Sequence, residues 1–253
     1  MRIKELQLKD YRNYEACVFE PCDGVTVLLG NNGQGKTNVL EAVYLTCTGR
    51  SHRTRQDREL IRWGADFADV RIATERRDGS HDVQIIMPAS GKRKIKVSGQ
   101  EVSRSGELLG HVTGVLFSPE DLYLIKGPAS GRRDFLDSAI SQIRPRYGDL
   151  LARYEKLLES KSRLLKQEEP RPSVQLIEAF DDQLAQIGAL LLGYRAKFCR
   201  GLSEECGKLH EAISGGKETL TLRYKTVSTV TDPFAPSNVI EGQLRDHLES
   251  HRM

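Results

Sequence analysis

One stretch of eight residues constrains this chain more than any other. Residues 30–37 read Gly-Asn-Asn-Gly-Gln-Gly-Lys-Thr, which fits the P-loop pattern G-x-x-x-x-G-K-[ST]. The apolar run Val25–Leu29 before it is typical of a buried parallel strand, and Asn38–Leu45 after it suits a helix. The glycines let consecutive N–H groups turn toward an anion, and the helix start adds a positive dipole end. The order strand, glycine loop, helix therefore predicts a site for a nucleoside triphosphate.

Each part of the loop has an expected contact. Lys36 is expected to reach the β- and γ-phosphates, and the Thr37 hydroxyl is expected to hold Mg²⁺. The whole loop is predicted to cradle the phosphates, through Gly30, Asn31, Asn32, Gly33, Gln34, Gly35, Lys36 and Thr37.

Composition sets the broad class of the protein. The 253 residues are 38% hydrophobic and 29% charged, which is typical of a soluble globular chain. No apolar run approaches the ~20 residues that span a bilayer, and the N-terminus lacks a signal-peptide apolar region. A cytoplasmic protein without a membrane contact is therefore expected. The net charge is only +3, so any nucleic-acid function depends on local basic clusters.

The chain is predicted to divide into two lobes, 1–119 and 120–253. In the first, Ile3–Leu8 alternates as a half-buried strand does, and residues 68–97 have the pattern of a β meander with a turn at Asp78-Gly79. Val112–Phe117 is predicted to be a further strand. The first lobe is therefore an α/β nucleotide-binding lobe.

The second lobe has mainly helical periodicity. Its longest apolar series, Ile177–Ile213, stops at Gly215-Gly216 and corresponds to a helix of roughly 60 Å. Two long antiparallel helices packed by seams of threes and fours fit this pattern. The predicted elements are helices over Gly131–Ile143, Leu150–Leu165 and Ile177–Ile213, breaks at Pro170 and Pro172, a cap at Ser173, a strand over Leu220–Tyr224, and a truncated helix over Gln243–Met253.

Two basic clusters are candidates for DNA contact. One is Arg50, Arg53 and Arg55, in the loop after the P-loop helix. The other is Lys92, Arg93, Lys94 and Lys96, at a turn and the following strand. Either cluster could contact phosphates, but the second could instead be a solvated sheet edge whose lysines discourage strand pairing.

The chain lacks an expected catalytic carboxylate. P-loop ATPases use an acidic residue after a second apolar strand to order Mg²⁺ and the attacking water. No run of four apolar residues precedes Asp-Asp or Asp-Glu, and the nearest case, Val115–Asp121, is interrupted by Ser118 and Pro119. No catalytic residue is assigned, and little or no hydrolysis is expected from this chain.

Several motifs together resemble the N-terminal two-thirds of the bacterial RecF family, whose ATPase head is of the ABC/SMC type. The P-loop alone fits many families, but the combination is specific. The motifs are Leu8–Tyr14, the P-loop followed by Asn38-x-x-Glu41-Ala42, Gly49–Thr54, Asp57–Ile61, Phe117–Leu122, Ile125–Gly127 and Arg132–Asp137.

The resemblance implies a two-lobed head that binds ATP and Mg²⁺, and an ATP-dependent homodimer of the full-length protein. It implies a recombination mediator that binds single-stranded, duplex and gapped DNA, has a weak DNA-dependent ATPase, and loads RecA together with RecO and RecR. By analogy with SMC-type heads, Arg12 and Asn13 would lie beside the nucleotide; a simple polar turn is the alternative. The family's signature motif and acidic second strand belong to a C-terminal third that this sequence lacks.

A second class of function stays open. A P-loop phosphotransferase acting on a small molecule would turn over as a monomer and have no affinity for DNA. The long helices favour the repair protein, because a small kinase has no use for them.

Overall fold

The computed structural model describes residues 1–77, 79–102, 105–166 and 173–251. Their contacts form two compact units, Met1–Gly127 with Ser141–Pro145, and Pro128–Ile140 with Arg146–Met253. The predicted breaks at Pro170 and Pro172, one residue of the Asp78-Gly79 turn and the last two residues of the chain lie outside the described residues. No helix of the described residues is long and apolar enough to cross a bilayer.

The first unit is built on a six-stranded sheet in which every neighbouring pair is antiparallel. The order across the sheet is β2-β1-β3-β4-β5-β6. The predicted strand Ile3–Leu8 and the meander over 68–97 are confirmed. The strands are β1 Arg2–Tyr11, β2 Tyr14–Phe19, β3 Phe67–Arg76, β4 Gly79–Pro88, β5 Lys94–Val97 and β6 Gln100–Val102.

Helix α1, Lys36–Thr48, packs its apolar side chains into the same core as the sheet. Alternate residues of β1, β3, β4 and β5 are buried, as expected when one face of a sheet is covered. The helix ends at Gly49, which has a φ of 71° and donates its N–H to the Leu45 carbonyl at 2.8 Å. The core includes Leu6, Leu8, Val70, Ile72, Val83, Ile85, Met87, Ile95 and Val97 of the strands with Val39, Ala42 and Leu45 of α1.

The connection between β1 and β2 is a tight turn. Tyr11 pairs with Tyr14, so the turn consists of Arg12 and Asn13 alone. Arg12 has a φ of 53°, which is uncommon for a residue with a side chain. Its N–H donates to the Leu60 carbonyl at 2.8 Å, which ties the hairpin to a short 3-10 turn, Asp57–Leu60.

Two predicted strands of the first unit are wrong. Val25–Leu29 pairs with no other strand in the described part of the chain, and of Val112–Phe117 only Val112 pairs, in an isolated bridge with Leu109. Val25 and Phe117 are exposed, to 84% and 81%, whereas Leu28 and Leu116 are half-buried and Val112 is buried. A strand is held by hydrogen bonds to a neighbouring backbone, so an apolar run without that neighbour stays extended but unpaired.

The second unit consists of α3 Ala129–Ile143, α4 Pro145–Leu165, α5 Val174–Ser214 and α6 Ser237–Ser250, while a short helix, α2 Tyr123–Lys126, belongs to the first unit. The last three residues of α3 are grouped with the first unit. The α5 helix begins at the predicted cap, where Ser173 Oγ accepts the Leu176 N–H at 3.2 Å, and ends at Gly215.

Helices α4 and α5 are antiparallel, as predicted. Tyr147 stacks edge-on against Tyr194 at a centroid distance of 5.5 Å, while Lys161, further along α4, pairs with Asp181, earlier in α5. Helix α6 also contacts α5, because its Ile240 packs on that helix. The predicted strand Leu220–Tyr224 is wrong, because the Leu222 N–H bonds to a serine side chain (Ser203 Oγ, 2.8 Å) and not to a strand.

A largely buried polar cluster joins three of these helices. Arg195 of α5 donates to both carboxylate oxygens of Asp137 of α3, at 2.7 and 2.8 Å. Its Nε also lies 2.9 Å from the hydroxyl of Tyr147 on α4, which donates to Asp137. Burial and the Asp137 hydrogen bond raise the pKa of Tyr147. The phenol therefore keeps its proton and remains a donor in this cluster.

Candidate nucleotide-binding site

The P-loop backbone depends on its glycines. Gly30, Gly33 and Gly35 have φ angles of 146°, 82° and 98°, a range that side chains disfavour. A Cβ at Gly35 would also fall 2.7 Å from Asn13 Oδ1 and 2.8 Å from the hydroxyl of Tyr14. The β1–β2 hairpin therefore lies directly against the end of the loop.

The start of α1 is arranged to receive an anion. Gly35 occupies the cap position, and no side chain of the described residues caps the helix. First-turn amides without a side-chain cap, together with the helix dipole, favour phosphate. Lys36 Nζ donates to the carbonyls of Gly30 and Asn31, both at 2.7 Å, so its charge is held against the loop.

Thr37 fits the role of a magnesium ligand. It is exposed on the first turn of α1, one residue after Lys36. In P-loop sites Mg²⁺ is held by the Ser or Thr hydroxyl of the loop and an acidic residue, together with phosphate oxygens. The Thr37 hydroxyl, beside the phosphate cradle, is placed to supply one of these ligands.

A buried carboxylate organises the side of the site. Glu41 of α1 is 0% exposed. Its two oxygens accept Nη2 and Nε of Arg12 at 2.7 and 2.9 Å, and they also accept the Ser51 hydroxyl at 2.5 Å and Nη1 of Arg53 at 3.4 Å. Arg12 Nη1 donates in addition to the Glu59 carbonyl at 2.8 Å.

The charges in this cluster are set by these contacts. Burial raises the pKa of Glu41, but the hydrogen bonds from Arg12 and Ser51 and the charges of Arg12 and Arg53 outweigh it. The pKa of Glu41 therefore lies below its ordinary value, and the carboxylate is ionised at neutral pH. The hydrogen bond with Glu41 in turn raises the pKa of Arg12.

A chain of amides links this cluster to the loop. Asn38 Nδ2 donates to Asn13 Oδ1 at 2.8 Å, and Arg53 Nη1 donates to Asn38 Oδ1 at 2.9 Å. Asn13 is one of the two residues that would meet a Cβ at Gly35, so it lies beside the P-loop. Arg12 lies behind it, against Glu41.

The same residues line a cleft of about 1010 Å³. Its walls include Arg12, Asn13, Asn38 and Arg53, together with Trp63, whose side chain is 98% exposed. Residues 30–37 do not line the cleft themselves. The cleft adjoins the P-loop through two of its lining residues, Asn13 and Asn38.

Sequence reasoning missed three residues of this site: Asn38, Glu41 and Ser51. Asn38 and Glu41 stood in the motif that follows the P-loop, without a role. A usable signal was the position of Glu41 on the apolar face of α1, next to the buried Ala42. A carboxylate at a core position is rare unless it is paired.

The two basic clusters are brought together. Arg93 donates to Asp57 through Nε at 2.8 Å and through Nη2, and to the Gly49 carbonyl through Nη1, so the segment that leads into β5 lies against the loop that carries the first cluster. Arg50, Arg55, Lys92 and Lys94 are exposed, and Lys96 is half-buried. β5 pairs with β4 and β6, so the alternative of a sheet edge is wrong.

Comparisons with known proteins agree with this geometry. A family profile described as "AAA domain" matches residues 5–187. A curated relative from Clostridium perfringens, "DNA replication and repair protein RecF", is 39% identical over 234 residues. That alignment covers 92% of this chain and 63% of the relative.

Solved structures extend the likeness to the fold. The structure described as "the recombination mediator protein RecF-ATP in RecFOR pathway" is 33% identical, with a TM-score of 0.92, and covers 99% of this chain and 67% of its own. An Smc head domain from Pyrococcus furiosus, 20% identical with a TM-score of 0.50, shares the fold alone. The chain thus spans about two-thirds of its relatives' length, and across that span it belongs to the RecF family, as an α/β P-loop head with a helical unit.

Proposed function

We propose that this chain binds ATP with Mg²⁺ at its P-loop. The observation that carries the proposal is the uncapped start of α1 beside three glycines at positive φ, with Lys36 held across the loop. The eight P-loop residues would hold the phosphates and Thr37 the metal. Arg12 and Asn13 would border the nucleotide, because Asn13 adjoins Gly35, and Arg12 and Asn13 both line the neighbouring cleft.

The full-length protein is proposed to be a recombination and repair mediator in the cytoplasm. It would bind duplex, single-stranded and gapped DNA, form an ATP-dependent homodimer with weak DNA-dependent ATPase activity, and act with RecO and RecR to load RecA. The names of the curated relative and of the solved RecF structure support this class over a small-molecule phosphotransferase.

Lys36→Ala tests nucleotide binding. The substitution removes a charge-assisted phosphate contact worth ~1.5–3 kcal/mol, so ATP affinity is expected to fall by roughly ten- to a hundredfold. Isothermal titration calorimetry with Mg-ATP measures it. Lys156→Ala, at an exposed position of α4, is the matched control and should bind as the wild type does. Equal affinity for wild type and Lys36→Ala would contradict the proposal.

DNA contact is proposed for the joined basic surface, Arg50, Arg53, Arg55, Lys92, Arg93, Lys94 and Lys96, with Arg53 and Arg93 already engaged in contacts within the protein. The double variant Arg50→Gln with Lys92→Gln, which changes two exposed residues, should therefore lower the affinity for duplex DNA by the same factor whatever the DNA sequence. The slope of log K against log salt should become shallower by ~0.9 for each lost phosphate contact.

The control for this experiment carries the same change in net charge. Arg163→Gln with Lys208→Gln removes two exposed cations of the helical unit and should leave the salt slope unchanged. Binding measured by fluorescence anisotropy over a range of salt separates the cases. A slope that is equal in both double variants would exclude the basic surface as the DNA site.

A further inference from the structure

We propose that Glu41 is a positioning residue of the nucleotide site, which holds Arg12 and Arg53 in fixed orientations beside the P-loop. The inference rests on the proposed ATP binding. Glu41 itself is fully buried and would not touch the nucleotide. It acts through the two guanidinium groups that it binds.

The first support is the cost of burying this charge. A fully buried carboxylate is strongly unfavourable unless it is paired, and an apolar residue of similar volume is often as stable or more stable. Glu41 lies on the core-facing side of α1, next to Ala42, where an apolar residue would pack. Three side chains bind it, two of them arginines, so its charge is matched to cations at the site.

The second support is that Glu41 joins three separate segments. It lies on the helix that begins at the P-loop, Arg12 comes from the β1–β2 hairpin, and Arg53 comes from the loop after α1. The bidentate pair with Arg12 defines the plane of that guanidinium. Arg12 also has a positive φ, a conformation that persists only where surrounding contacts hold it.

The third support is the set of donors that remain. Arg12 uses one N–H of each nitrogen, and Arg53 uses Nη1 alone, so Nε and Nη2 of Arg53 have no partner in the part of the chain that the structure describes. The Arg53 side chain is 45% exposed, and both arginines line the cleft that adjoins the P-loop. Pre-oriented guanidinium donors suit anionic oxygens such as those of the nucleotide phosphates.

Glu41→Gln is the direct test. Glutamine keeps the shape but loses the charge, and its NH₂ group faces guanidinium donors. ATP affinity, measured by calorimetry on folded protein, is expected to fall about tenfold, by analogy with the cost of losing residues that orient ligand-binding groups. Glu41→Asp keeps the charge on a side chain one methylene shorter, and should bind with intermediate affinity.

Asp181→Asn is the matched control. Asp181 is also fully buried and pairs with a lysine, Lys161, but it belongs to the helical unit. Its substitution should lower the denaturation midpoint and leave ATP affinity at the wild-type value. A role of Glu41 in stability alone would produce the same pattern for Glu41→Gln, and that result would overturn the inference.

A mutant cycle tests whether Glu41 acts through the arginines. In the background Arg12→Gln with Arg53→Gln, adding Glu41→Gln should change ATP affinity by less than about twofold. A full tenfold loss in that background would overturn the inference. If Glu41→Gln and Glu41→Asp both bind ATP with wild-type affinity while Lys36→Ala still weakens binding, this inference is overturned and the proposed function stands. Binding that is independent of Lys36 would overturn the proposed function with it.

Discussion

Replacing Arg195 with alanine is expected to lower the free energy of unfolding of the helical unit by about 3–5 kcal/mol, the cost of breaking a buried ion pair by removing one partner. The side chains of Arg195 and Asp137 are only 16% and 14% exposed, and each satisfies the other through two hydrogen bonds. Without the guanidinium, Asp137 keeps only the Tyr147 hydroxyl as a partner among the three groups of this cluster.

Denaturant unfolding followed by circular dichroism at 222 nm measures this effect. Arg163→Ala is the control, because its pair with Glu159 is exposed and such pairs are worth about 0–1 kcal/mol. The triple change Asp137→Leu, Tyr147→Phe and Arg195→Met removes the whole polar cluster and should cost far less than Arg195→Ala. A loss below about 1 kcal/mol for Arg195→Ala would show that the cluster carries little of the stability.

ATP turnover by this chain alone is expected to be slower, by orders of magnitude, than that of a complete ATPase site. Hydrolysis needs an oriented water and stabilisation of the charge that develops on the γ-phosphoryl group, and loss of one such group costs roughly 10²–10³ in rate. The carboxylate on the P-loop helix, Glu41, is buried and bound by Arg12, Ser51 and Arg53. Asp121 caps its own turn by accepting the Ser118 N–H at 2.6 Å. Neither carboxylate is placed to act as a base.

Phosphate release by the purified chain, with and without duplex DNA, tests this expectation. Lys36→Ala sets the background, because it removes the phosphate contact while leaving any contaminating ATPase unaffected. Release equal to that background is the expected result. A Lys36-dependent signal stimulated by DNA would contradict it, and Glu120 and Asp121 would then be the first residues to replace.

Local patterns predicted much of the fold. Alternation in Ile3–Leu8 and across residues 68–97 predicted strands that the structure contains, because each of them has at least one pairing partner that is close in the sequence. Apolar residues spaced three and four positions apart over Ile177–Ile213 predicted the 41-residue helix α5, since a helix makes its hydrogen bonds within one segment. The same logic failed at Val25–Leu29, Val112–Phe117 and Leu220–Tyr224, because an apolar run does not specify whether another backbone lies beside it.

The sequence by itself determined the P-loop, since the positions of its glycines, Lys36 and Thr37 are set by neighbours along the chain. Only the tertiary structure decided which side chains surround it. Arg12, Glu41 and Arg53 come from three segments that converge, and their pairing depends on the packing of α1 and of the hairpin, not on spacing. The buried pair Asp137 and Arg195, 58 positions apart, was likewise beyond local reasoning. A charge needs a partner only when folding removes the water that would otherwise solvate it, so the pairing depends on the folded structure.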